Sequence, residues 1–191
     1  AEGERLAAVE TPIDDDKPMS KANKRMLLAI LGAEFLWFMS DNAIGTYIGN
    51  YVIYYLNSAS SATMVLTIAG GLASVIGFAI AGGIAEKIGR KWTISWGLLI
   101  PAALYAVWAI KGFGMALVHN CSFPMVVELC SSKKIGKFTG YYYTASMSAQ
   151  TVTPILLGFL FDMTGAWRAL PIYACVMTTL SAVVFISLVK N

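Results

Sequence analysis

Gly82-Gly83-Ile84-Ala85-Glu86-Lys87-Ile88-Gly89-Arg90-Lys91 is the stretch that decides the fold. Its second half packs four charges into the six residues 86–91, between apolar runs at about 63–85 and 92–110. Each run is close to the roughly 20 apolar residues that cross a bilayer as a helix. Two such runs joined by a short charged turn read as a hairpin of membrane helices. The whole chain agrees with that reading. Of its 191 residues 57% are hydrophobic and 13% charged, and its mean hydropathy is +0.64. A soluble domain carries about 25% charged residues, and a disordered chain needs low hydrophobicity. Both classes are excluded.

Working outward from the turn, six apolar runs emerge, at about 26–56, 63–85, 92–110, 113–129, 138–161 and 169–189. Residues 1–24 are polar, with Pro12, Pro18 and Asp14-Asp15-Asp16, and read as a cytoplasmic linker or tail; 25–191 form the transmembrane bundle. Lys111-Gly112 separates the third run from the fourth, and Pro154 marks an expected kink in the fifth. The runs lack the alternation of β-barrel strands. The expected fold is therefore an all-α integral membrane bundle of six transmembrane helices. Six crossings put the tail, the 86–91 turn, the 131–137 loop and the C-terminus on one side, with twelve of the chain's Lys and Arg residues; the other side has Lys111 and Arg168. Cytoplasmic loops collect Lys and Arg, so both termini are expected in the cytoplasm. Trp92, Trp108 and Trp167 fall at run ends, as interfacial anchors do.

A repeat is visible. Gly82 to Gly89 ends the second run and Gly158 to Gly165 ends the fifth, both reading G-x3-acid-x2-G. Runs 1–3 and 4–6 would then be two inverted three-helix repeats, a transporter construction.

GGIAEKIGRK (82–91) closely resembles the major facilitator signature G-x-L-a-D-r-x-G-r-k, through Gly82, Glu86, Gly89, Arg90 and Lys91, with Glu86 in place of the commoner Asp. FLWFMSDNAIGTYIGNYVIYYL (35–56) resembles the seventh helix of sucrose-type and glycoside–pentoside–hexuronide symporters. FPMVVELCSSKKIGKFTGYYYTASMSAQTVTPILLGFLFD (123–162) resembles their tenth and eleventh. The resemblance covers about 26–190, as the C-terminal half of a twelve-helix protein. It implies a second six-helix half, with substrate bound between the two. That half is expected in the same longer chain, given the linker-like start without an initiator Met, rather than as another subunit or a homodimer. The resemblance also places Glu128 near the 86–91 turn, where Arg90 could pair with it as a conformational latch; a solvated charge at a helix end is the other reading.

Several polar residues fall inside the runs. Asp41 and Asn42 lie about 15 residues, or about 22 Å, into the first. An Asp at that depth costs about 2.5–3.5 kcal/mol on insertion scales. It reads as a coupling carboxylate, as an acceptor for substrate hydroxyls, or as a helix-packing group. Glu34, seven residues earlier, projects from nearly the same face, and Gly45 and Gly49 continue it as sites of close helix approach. Tyr143, Ser146, Gln150 and Thr153, spaced 3, 4 and 3, fall on one helical face suited to sugar hydroxyls or to bonds across helices. His119, the only histidine, is followed by Asn120 in the fourth run and could titrate or bind substrate.

Other classes find no support. There is no phosphate loop, nucleophile elbow or metal-spaced ligand set, and the basic residues divide among loops, so neither an enzyme nor a nucleic-acid binder is read here. Cys121, Cys130 and Cys175 read as packed free thiols. No cofactor is expected beyond a coupling H+ or Na+, and the expected partners are the bilayer of the plasma (inner) membrane and a small polar solute, a sugar or glycoside. A membrane scaffold or receptor that kept the fold without transport is the rival.

Overall fold

A computed structural model describes residues 19–103, 108–130 and 134–189, without side-chain detail at 100–103 and 108–110. Most of the 1–24 tail, part of the 131–137 loop and the ring of Trp108 thus lie outside the described residues. Six α-helices are present among the described residues: α1 (Lys21–Asn50), α2 (Ser60–Ile88), α3 (Arg90–Ala103), α4 (Trp108–Glu128), α5 (Ile135–Thr164) and α6 (Ala169–Leu188). A π-turn at Tyr51–Tyr55 extends α1.

Local chemistry sets the ends. The Ser20 side chain accepts the Asn23 N–H at 3.1 Å, capping a helix start that Pro18 precedes. After the π-turn, Asn57 takes φ 49°, a left-handed value that asparagine tolerates. Gly89 (φ 84°) closes α2 and Gly165 (φ 58°) closes α5. Their N–H groups bond Ala85 O at 2.9 Å and Phe161 O at 2.8 Å. The second glycine of each sequence repeat thus ends a helix at positive φ, where a Cβ would be strained.

Four of the helices, α1 with its π-turn, α2, α5 and α6, are long and apolar enough to cross a membrane. The 14 described residues of α3 are short for a crossing, and α4 carries Lys111, His119, Asn120 and Glu128. Lys111-Gly112, expected between two runs, lies inside α4, which begins at Trp108. Pro154 lies inside α5, which runs on through it to Thr164.

The main core gathers Leu27, Ile30 and Trp37 of α1 with Ile94 and Leu98 of α3, Val118 and Val126 of α4, Phe138 of α5 and Phe185 of α6. α2 buries only Gly70, Gly77 and Ala81. Its other faces are apolar and open, with Met64, Val65, Leu72 and Val75 each more than 60% exposed. Water does not favour such a surface, and lipid or another bundle does. The buried glycines let backbones approach. A Cβ on Gly112 of α4 would lie 2.4 Å from Gly70 O, and one on Gly77 would lie 2.8 Å from the Ala116 Cβ. Gly45 and Gly49, expected to mark close approach, do not: Gly45 faces open space, and Gly49 meets only the Thr63 methyl at 3.8 Å.

The helix neighbours follow a rule. α2 packs on α4, α1 on α5 and α6, and α3 on α4 and α6. Exchanging α1 with α4, α2 with α5 and α3 with α6 carries these pairs onto one another.

Candidate functional site

A cleft of about 470 Å3 opens between α1, α2 and α4. Asp41 and Gly45 line it from α1, Thr67 and Ser74 from α2, and Lys111 and His119 from α4. Ile48, Phe78 and Met115 supply apolar wall. The Lys111 ammonium donates to the Asp41 carboxylate at 2.5 Å. Lys111 is nearly buried, while Asp41 stays about a third open to the cleft. A buried charge is costly alone and tolerable when paired, so the two residues explain each other's presence. Backbone approach at Gly112 lets α4 sit close enough to α2 for the Ser74 hydroxyl to donate to Gly112 O at 2.9 Å, beside Lys111.

His119 sits two turns along α4 from Lys111. Its ring meets Trp37 edge-on at 4.5 Å and Phe38 at 5.5 Å. Asn120 is exposed beside it. Asn42 spends its amide within α1, donating to Phe38 O at 2.8 Å.

Glu34 is elsewhere. It is 1% exposed, within the bundle, beside the Tyr142 hydroxyl. Tyr142 shares a hydrogen bond of 2.9 Å with Ser122. Although Tyr142 is adjacent, neither carboxyl oxygen of Glu34 reaches hydrogen-bond geometry with a partner. Trp37 and Phe38 lie between Glu34 and Asp41 along α1.

The expected polar face of α5 divides. Ser146 and Thr153 are buried; Ser146 donates to Tyr143 O at 3.1 Å, and Thr153 to Ala149 O at 2.7 Å and Met39 O at 3.5 Å. Tyr143 and Gln150 are exposed, and Tyr143 lines an open groove of about 570 Å3 with Met147 and Thr151. The reason is angular. At about 100° per residue, residues seven apart nearly eclipse, whereas Ser146 lies about 60° from Tyr143. α1 covers one edge of the face and leaves the other open.

Of the signature residues, Gly82 and Glu86 are exposed on the last two turns of α2, and Gly89 alone forms the turn that was expected to span 86–91, because the helix runs on to Ile88 and the next begins at Arg90. Gly89 directs the chain into α3, whose first residue, Arg90, is ion-paired with Glu128 at the end of α4. Arg90 and Glu128 thus meet across the ends of α3 and α4.

Lys111, Ser74 and Thr67 were not among the residues expected here. The available signal for Lys111 was its isolation: it is one of two cations outside the twelve on the basic side, set between Ala109-Ile110 and Gly112-Phe113.

Comparison with known proteins bears on this architecture. In an alignment 124 residues long that covers 58% of the chain, the sequence is 27% identical to a protein of Aspergillus flavus described as "Probable efflux pump mfs2". The match covers 29% of that protein, so the chain spans less than a third of the length of this curated relative. The family model described as Major Facilitator Superfamily matches residues 30–191, from within α1 through α6. The chain is an integral membrane protein and belongs to the major facilitator superfamily.

Proposed function

We propose that this chain is one six-helix bundle of a secondary transporter that passes a small polar solute, a sugar or glycoside, by alternating access with a second six-helix half. The observation that carries the reading is the Lys111–Asp41 pair on the wall of an open cleft. A pair needed only for packing would be expected to lie shut within the bundle. This one presents an acceptor, the ammonium and the Ser74 and Thr67 hydroxyls to a cavity of solute size.

Coupling to a cation, H+ or Na+, rests on the same pair. The Lys111 ammonium already occupies the cation position at Asp41, so an arriving cation has to displace it and release Lys111 to the cleft. Each exchange of partner alters the contact between α1 and α4 and so biases which side opens.

The neighbour rule among the helices and the positive-φ glycines ending α2 and α5 support two inverted three-helix repeats. The distribution of Lys and Arg supports cytoplasmic termini, in the plasma (inner) membrane. A second reading is outward pumping of a more apolar solute. Ile48, Phe78 and Met115 in the cleft wall favour it, as does the likeness to a protein described as a probable efflux pump.

Counterflow tests the proposal. Vesicles holding the bundle with its other half should exchange labelled glycoside across the membrane in the absence of a gradient. A scaffold or receptor would bind without counterflow, and exchange of an apolar solute but no glycoside would select the second reading.

A further inference from the structure

Where α1 begins and α6 finishes, two adjoining cavities of about 610 and 440 Å3 run between these helices. Lys21 and Arg25 line both, and Lys24 joins them in the second. All three are exposed, and none is in an ion pair among the described residues. The first turn of α1 holds no acidic residue. Cations at a helix N-terminus oppose the helix dipole, so helix stability does not account for the cluster. The groove changes character along its length. One turn beyond the cations, on the same stripe of α1, Leu28 is 69% exposed, and Val184 and Leu188 of α6 line the groove with it.

A charged mouth leading to an apolar floor, in a membrane protein, matches one chemistry. We infer that this groove binds an anionic phospholipid, with its phosphate among Lys21, Lys24 and Arg25 and the upper part of an acyl chain along Leu28, Val184 and Leu188. A free phosphate would use only the mouth and leave the apolar floor unexplained. The site shares no residue with the cleft at Asp41, and it requires only that the chain sit in a bilayer.

The test uses the full chain in neutral detergent, titrated with phosphatidylglycerol or with phosphatidylcholine of the same acyl chains, and counts retained lipid by native mass spectrometry. Phosphatidylglycerol should be retained in preference. Changing Lys21→Gln, Lys24→Gln and Arg25→Gln together should weaken it about a hundredfold, three basic contacts being lost. Lys21→Arg with Lys24→Arg should preserve it, and Leu28→Asn should weaken it. Since all four side chains are exposed, the variants should keep the melting behaviour of the parent. Equal retention of the two lipids, or an unchanged affinity in the triple variant, would overturn the assignment. So would competition by inorganic phosphate as strong as that of phosphatidylglycerol. Retention that appears only after Asp14, Asp15 and Asp16 are changed to Asn would give the groove to the chain's own acidic segment instead.

Discussion

Lys111 and Asp41 form an ion pair between α4 and α1, at the wall of the cleft rather than in a loop. Removing one member leaves the other charge uncompensated. Lys111→Met or Asp41→Asn alone should therefore destabilise the bundle, by about 2 kcal/mol, below the 3–5 of a fully buried pair because Asp41 is partly solvated. The double variant should recover most of that loss. Thermal unfolding in detergent provides the comparison; a double variant no better than the worse single one would show that the two residues act independently.

The same residue separates coupling from binding. Asp41→Asn keeps size and hydrogen bonding but cannot titrate. Uphill accumulation by the assembled transporter should vanish, while exchange at equal gradients continues. Normal proton-driven accumulation by a well-folded Asp41→Asn protein would falsify the coupling role. Weaker binding with coupling intact would make Asp41 a substrate contact instead.

Arg90 and Glu128 meet at the ends of α3 and α4, both well exposed. An exposed pair of this kind contributes at most about 1 kcal/mol to stability. Its expected effect is on rate: Arg90→Gln should slow interconversion between open states more than it weakens solute binding. Stopped-flow exchange set beside equilibrium binding decides this, and a collapse of affinity at an unchanged exchange rate would rule out a latch.

Close approach of α2 and α4 rests on Gly112, whose substituted Cβ would meet Gly70 O at 2.4 Å, backbone that cannot step aside. Gly112→Ala should cost about 1–3 kcal/mol and shift the cleft with it. Gly32→Ala in α1, with nothing within 4 Å of its Cβ, should be neutral or stabilise by up to about 1 kcal/mol. Melting curves of the two variants should move in different directions or by clearly different amounts.

Topology is open to labelling. Ser60 begins α2 and Lys134 precedes α5, and both are exposed. With six crossings and cytoplasmic termini, single cysteines at these positions should react with an impermeant reagent from opposite sides of the membrane. Reaction of both from one side would break the six-crossing scheme.

Much of this protein is written locally. Apolar runs separated by charge and glycine gave the number and order of the helices, because the hydropathy of a segment does not depend on where its neighbours lie. Gly89 and Gly165 end helices for a reason equally local, the strain a Cβ would meet at positive φ. Asp41 and His119 were legible as candidates because a polar group deep in an apolar run needs a purpose, and both line the cleft. Tertiary structure decided the rest. Lys111 read as a loop cation until α4 enclosed it and brought it to Asp41, a residue 70 positions away in sequence. The α5 face holding Tyr143, Ser146, Gln150 and Thr153 was even in sequence, yet α1 buries one edge and leaves the other open. Gly112 and Gly77 mark close approach, and Gly45 does not. Each of these outcomes depends on the rotation and axial offset of one helix against another. A turn of about 60° or a slide of one residue changes which side chains meet, and those quantities are set by packing across the whole bundle rather than by any single segment.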